Sequence, residues 1–189
     1  GTILCNDAEL KDIAVEAYQQ QTVFLFQDFE KYFFTIEENI VLGKRDEHKT
    51  LEDIQQAGRL AGAESFIAKF PKGYQTRMGR IFEGSAQLSG GEWQKIALAR
   101  VFYKADASLI VLDEPTSALD AHAEYEIFNQ IKTIAKDKMV ILITHRLYNL
   151  KIADHLYVMQ EGRIAEEGSF DELIEKGGIF RQLYNMQQL

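Results

Sequence analysis

Two carboxylates, Asp113 and Glu114, stand directly after the apolar run SLIVL at 108–112. That run reads as a buried strand, and in a parallel α/β sheet ligands bind beyond the carboxyl ends of the strands. Successive side chains on a strand point to opposite sides, so the two carboxylates can take separate work. One can hold Mg2+ through its water shell while the other takes a proton from a nucleophilic water. A bare carboxylate pair at a strand end can equally meet only solvent or a lysine. The rest of the pattern shifts that balance. His145 follows a second apolar run, MVILI at 139–143. An imidazole there can donate to a phosphate oxygen and help hold an attacking water. Gln27 follows a third run, TVFLF at 22–26, and its amide oxygen can join the metal shell or the water. Each residue alone also fits a structural histidine or a solvated strand end. Three polar ends on three apolar strands point to one shared site.

A fourth element can read an anion. Ser89, Gly90 and Gly91 open the helix-like run EWQKIALARVFY at 92–103. Backbone N–H groups and a hydroxyl at a helix N-terminus, where the dipole favours negative charge, form a cradle for phosphate. A Gly-Gly pair also serves as a plain loop hinge. The chain has no G-x-x-x-x-G-K-[ST] loop of its own; its one Gly-Lys pair, Gly43-Lys44, is followed by Arg45, and position 38 is Glu.

The elements that must position these groups follow from periodicity. Thr50 and Asp53 form a capping box, followed by Leu51, Ile54, Ala57 and Ala61 at helical spacing. A second helical piece around 63–70 ends at Pro71 and Gly73, and a polar loop over 74–88 leads to the serine-glycine element. The helix beyond it runs to about Tyr103, with Ile96, Ala99 and Val101 buried. A further helix is predicted over 121–135. Apolar strands alternating with helices predict a parallel sheet covered on both faces. The tail reads as a hairpin around Glu161-Gly162, then one final amphipathic helix capped by Ser169 and Glu172.

With 189 residues, 46% hydrophobic and 26% charged, the chain is long enough for one domain with a substantial core. The net charge of −8 and the lack of any Lys/Arg-rich run argue against nucleic-acid or anionic-membrane binding by bulk charge. A single cysteine, Cys5, excludes an internal disulfide, fits a reducing compartment, and is expected as a small buried hydrophobe. No apolar run approaches the ~20 residues that span a bilayer.

Taken in order, Gln27, LSGGEWQKIALAR (88–100), SLIVLDEPTSALD (108–120) and ITHR (143–146) resemble the nucleotide-binding domain of ATP-binding cassette (ABC) proteins along essentially the whole chain. The resemblance implies an α/β fold of the P-loop NTPase (RecA-like) type, a mostly parallel sheet flanked by helices with an inserted α-helical subdomain. It divides the chain into a core at 1–43 and 104–189 and a helical signature subdomain at about 44–103. It implies ATP and Mg2+ as ligands. Gln27 and Asp113 would serve the metal, Glu114 would be the catalytic base and His145 the switch histidine. Ser89, Gly90 and Gly91 would bind the γ-phosphate of ATP held by a partner domain, and Asp120 would end the loop that communicates across the dimer. Glu92 stands where the family most often has Gln. Family order puts the P-loop upstream of GTILCNDAEL (1–10), so the chain is expected to lack its first strands, the P-loop and the aromatic that stacks on adenine. Alone it is expected to bind ATP weakly or not at all.

The stretch QDFEKYFFTIEENIV (27–41) resembles the exporter form of the family, which implies a transmembrane domain, fused or separate, docking on about Phe29–Phe34 and Thr76–Ser85. At least two of Phe29, Tyr32, Phe33 and Phe34 are expected to be buried instead, since exposed aromatic clusters are unusual without a partner. The loop before the signature resembles a bacterial subgroup exporting peptides or lipids. The implied activity is ATP hydrolysis by a dimer, homo- or heteromeric, at the cytoplasmic face of a membrane, with no nucleic acid. The alternatives are a soluble ABC ATPase of the translation-factor or DNA-repair kind, and a non-catalytic regulatory cassette. The first calls for a second cassette with a basic linker or a heptad coiled coil; intact Glu114 and His145 speak against the second.

Overall fold

The computed structural model describes residues 1–44, 50–79, 85–104 and 106–188. The first short strands, β1 (Leu4–Cys5) and β2 (Ala8–Glu9), pair antiparallel. Asn6 and Asp7 turn the chain between them at φ 48° and 65°, the left-handed region that Asn and Asp tolerate better than most residues. Cys5 is exposed, against the expectation of a buried thiol, because no residue of this hairpin is buried against another layer. Helix α1 (Val15–Gln21) likewise buries nothing.

The apolar runs form one parallel sheet, β3 (Thr22–Leu25), β4 (Leu109–Asp113) and β5 (Met139–Ile143), with β4 in the middle. Thr22 lies opposite Leu109 and Leu25 opposite Leu112, while Leu109 pairs with Met139 and Asp113 with Ile143. One face, carrying Val23, Leu25, Ile110 and Leu112, packs into the core with Ile96 and Ala99 from one helix and Ile127 and Ile131 from another. The opposite face is open: Phe24, Phe26, Met139, Ile141 and Ile143 are exposed. The expected cover on both faces is therefore corrected to one. Alternate residues of the outer strands, Phe24 of β3 and Met139, Ile141 and Ile143 of β5, are left exposed, while Leu109 and Val111 of the central β4 stay half-buried.

Helices α2 (Ile36–Val41), α3 (Leu51–Leu60), α4 (Glu64–Ile67) and α5 (Gly90–Tyr103) lie between β3 and β4 in the chain. Thr35, Thr50 and Ser89 each close a capping box, with Glu38, Asp53 and Glu92. Ile54, Ala57 and Ala61 face the core as expected, as do Ile96, Ala99 and Val101. Helix α6 (Ala121–Ile134) follows β4, capped by Asp120. Among the described residues, no helix is long and apolar enough to cross a membrane.

Residues 144–189 cluster as a second unit. It holds the hairpin β6 (Leu156–Gln160) and β7 (Arg163–Gly168), turned at Glu161 and Gly162, and the helices α7 (Phe170–Lys176) and α8 (Ile179–Met186). The one final helix expected from the pattern is two. Gly177 takes the left-handed φ of 72° that ends α7, which glycine adopts at no steric cost. Its neighbour Gly178 leaves room for Glu166, whose carboxylate accepts from Phe180 N–H at 2.9 Å and caps α8.

Candidate functional site

The sheet register gathers the ends of the strands at one edge. Asp113 is the last residue of β4, and Gln27 lies two residues past Leu25, the partner of Leu112. Gln27 is exposed and Asp113 half-buried. Mg2+ binds through one or two protein oxygens and keeps waters and substrate phosphates as its other ligands. A two-donor set of one carboxylate and one amide oxygen fits that habit. Among the described residues no cluster of three or more His, Cys, Asp or Glu offers an all-protein cage.

Glu114 does not continue the strand. Its φ is 49°, a left-handed backbone that costs a residue with a Cβ about 1–2 kcal/mol. The two neighbouring carboxylates are therefore separated by a turn of the chain, not by the alternation of a pleat. The turn is held by Glu114 N–H donating to the Ile143 carbonyl at 2.9 Å, by Ser117 N–H donating to the Glu114 carbonyl at 3.3 Å and by Leu119 N–H donating to Thr116. Thr116, buried, donates from its hydroxyl to Glu124 at 2.9 Å. Strain held at a strand end beside a carboxylate is a feature of functional turns.

Ser89 caps the 14-residue α5, and Ser89 and Gly90 are exposed. An exposed helix N-terminus suits an anion carried by another molecule. Glu92 already uses part of it. Its carboxylate accepts from Ser89 N–H at 2.8 Å and from the Ser89 hydroxyl at 2.9 Å. Gly91 has to be glycine for a packing reason, because a Cβ there would sit 2.9 Å from the Ala118 carbonyl oxygen. That contact ties the glycine pair to the turn after Glu114. Asp120 ends the same turn, where its carboxylate accepts from Ala123 N–H at 2.9 Å and His122 N–H at 3.0 Å. Those bonds, Ala123's foremost, hold its pKa below the ordinary carboxylate value.

His145 belongs to the second unit, two residues after the end of β5. Its ring is exposed and its carbonyl accepts from Gln187 Nε2 at 2.5 Å, while Gln187 Oε1 accepts from Leu147 N–H at 2.9 Å. The residue that caps the last helix thus grips the segment that carries the histidine.

Of the four aromatics in the 29–34 segment, only Phe29 packs against the core; Tyr32, Phe33 and Phe34 are 39%, 50% and 43% exposed. The expectation that two or more are buried is corrected. The backbone of this segment is anchored by polar groups instead, so its rings remain outside. Asn39, fully buried, donates to the Tyr32 and Thr35 carbonyls at 3.0 and 2.9 Å. Arg100 donates to the Glu30 carbonyl at 2.8 Å, to the Asn39 carbonyl at 3.0 Å and to Asn39 Oδ1 at 2.7 Å, and it lies 5.3 Å from the Tyr32 ring. Tyr32 stacks on Phe34 at 5.6 Å. In the second expected docking strip, Arg77 donates to the Phe33 carbonyl at 3.2 Å, and Arg80 to Gly84 lie outside the described residues.

Sequence reasoning missed Asn39, Gln94 and Arg100, all of which act through contacts far apart in the chain. Burial was the available signal for Gln94, since a glutamine in the middle of an apolar helical run needs partners.

A family model described as "ABC transporter" matches residues 1–117. The subtilin transport ATP-binding protein SpaT of Bacillus subtilis is 38% identical over 183 residues, 97% of this chain and 30% of that protein. The ATP-dependent lipid A-core flippase of Legionella pneumophila (strain Paris) is 37% identical over 188 residues, 100% of this chain and 31% of that protein. A solved structure of a bacterial Atm1-family ABC exporter with ATP bound matches with a TM-score of 0.91 and 30% identity, covering 100% of this chain and 32% of that one. The chain spans about a third of the length of these relatives.

Proposed function

Because the chain belongs to the ABC transporter family, we propose that it is the ATP-hydrolysing part of an exporter, working at the cytoplasmic face of a membrane. The observation that carries this reading is the shared sheet edge: Asp113 ends β4, the strained Glu114 follows it, and Gln27 lies just past the end of the adjacent parallel strand β3. In this reading the core is 1–43 and 104–189 and the signature subdomain about 44–103.

Two such domains, alike or different, enclose ATP between them. Ser89, Gly90 and Gly91 contribute helix N-terminal N–H groups to the γ-phosphate of the nucleotide held by the partner. Glu92 must release the Ser89 N–H and hydroxyl for those two groups to take part. Asp113 and Gln27 hold Mg2+, which supplies charge neutralisation on the phosphates when bound. Glu114 accepts a proton from water as the water oxygen bonds to the γ-phosphorus and ADP departs with the bridging oxygen. His145 donates a hydrogen bond to the developing phosphate charge, and Asp120 closes the loop facing the partner. The exposed rings of Tyr32, Phe33 and Phe34, with the strip around 76–85, receive the transmembrane domain.

The test is Glu114→Gln in the full-length protein. ATP turnover is expected to fall at least about a hundredfold, the scale of losing a general base, while the variant accumulates as an ATP-bound dimer. Undiminished turnover would refute the role of Glu114.

A further inference from the structure

Gln94 belongs to none of the groups assigned above to metal, water or phosphate, yet its side chain is 2% exposed and wholly engaged. It sits in the second turn of α5. Its Nε2 donates to the Glu114 carbonyl at 2.9 Å and to Ser117 Oγ at 3.3 Å. Its Oε1 accepts from Ala118 N–H at 2.6 Å. The amide orientation is settled by these partners, since a carbonyl can only accept and an N–H can only donate.

The consequence falls on Glu114. Its N–H is held by the Ile143 carbonyl and its own carbonyl by Gln94, so the peptide planes on both sides are fixed. Two fixed planes around a left-handed residue set the direction of its Cα–Cβ bond, and with it where the carboxylate can reach. The turn has other ties that keep its shape without Gln94: Ser117 N–H to Glu114, Leu119 N–H to Thr116, and Thr116 to Glu124. Removing Gln94 takes away the 2.9 Å bond to the Glu114 carbonyl and leaves the longer one from Ser117 N–H at 3.3 Å, so the attitude of Glu114 loosens while the turn keeps its shape.

Resting on the reading of Glu114 as the base, we propose that Gln94 is a positioning residue that aims the Glu114 carboxylate and joins it to the helix whose N-terminus reads phosphate. The amide connects two halves of different composite sites. Ser89, Gly90 and Gly91 serve the nucleotide of the partner, and Glu114 serves the nucleotide of its own chain. Gln94 lies between them on one rigid helix.

The experiment measures steady-state ATP hydrolysis by the full-length protein carrying Gln94→Leu, Gln94→Glu, Glu114→Gln and the pair Gln94→Leu/Glu114→Gln. Gln94→Leu is expected to lower kcat about ten- to a hundredfold, the scale of a misplaced catalytic group, with KM for ATP little changed. Gln94→Glu keeps the size and the acceptor for Ala118 N–H but loses the donor to Glu114, and it is expected to fall as far. In the Glu114→Gln background, read by single-turnover hydrolysis, Gln94→Leu is expected to add less than about twofold, because it acts through the group already removed. Wild-type kcat in both Gln94 variants overturns the proposal, as does a loss that recurs undiminished in the Glu114→Gln background. If Gln94→Leu does not fold, the isosteric Gln94→Glu decides by the same criteria. An inactive Glu114→Gln beside two normal Gln94 variants sinks this inference alone; a fully active Glu114→Gln sinks it together with the reading of Glu114.

Discussion

Arg100 offers the sharpest stability test in the fold. Its guanidinium makes three hydrogen bonds, two of them to the fully buried Asn39 and the third to the Glu30 carbonyl at the surface. Burial lowers the guanidinium pKa from its ordinary value, against the opposing pull of Tyr32 and Glu30, but an arginine keeps its charge. Arg100→Leu returns the Glu30 carbonyl to water and strands two acceptors of Asn39. A buried acceptor left unsatisfied costs about 1–3 kcal/mol, so the loss comes to about 3 kcal/mol. Urea unfolding of the 189-residue chain reads it directly through its single tryptophan, Trp93, which is buried in α5. Arg100→Lys reaches one acceptor in place of a fork of three and is expected to recover less than half. The cycle with Asn39→Ala should show coupling of at least about 1 kcal/mol, since both changes remove the same contacts. A loss below about 1 kcal/mol, or strict additivity in the cycle, would refute the argument.

Two further outcomes follow from close approach and from charge. Gly43→Ala puts a Cβ 1.9 Å from the Arg100 carbonyl oxygen, so α2 and α5 must separate; thermal unfolding should report a loss of about 2 kcal/mol, the usual scale of overpacking. Asp120 has a depressed folded-state pKa. Its contribution is therefore complete above the unfolded carboxylate value and lost as pH falls through the folded one. The stability difference between the native chain and Asp120→Asn should be flat from neutral pH down to about 5 and shrink below about 4; a difference that grows on acidification contradicts the hydrogen bonding to His122 and Ala123.

The readable parts of this chain are those whose cause is local. The Thr50–Asp53 and Ser169–Glu172 boxes lie within four residues of sequence, and both helices begin there. The strand ends at Gln27, Asp113 and Glu114 could be read because apolar runs stop abruptly at polar residues. Other features answer to partners distant in sequence. Asn39 and Arg100 are 61 residues apart, and Gln94 meets Ala118 across 24; no periodicity registers either pair. The half-open sheet was illegible for a related reason. A run such as MVILI looks the same whether one face or both are covered, and only the placement of helices shows that Ile141 and Ile143 are exposed. The paired glycines at 177 and 178 carried a break signal, but the amphipathic pattern continues across them and hides the second helix start.

Helix α5 explains why these long-range polar residues lie where they do. Its first residues present the exposed serine-glycine end, Gln94 grips the turn of Glu114, and Arg100 in the last turn grips the backbone beneath the exposed aromatics. At 1.5 Å per residue, Gln94 and Arg100 are about 9 Å apart along the axis. An apolar helix held only by packing can slide or roll by small amounts at little cost, whereas hydrogen bonds lose their strength over a few tenths of an ångström and a few tens of degrees. Gln94, buried, and Arg100, half-buried, therefore hold α5 by directional bonds as well as by packing. Moving the aromatic segment away from Arg100 would cost the bond to the Glu30 carbonyl and loosen the hold on the buried Asn39.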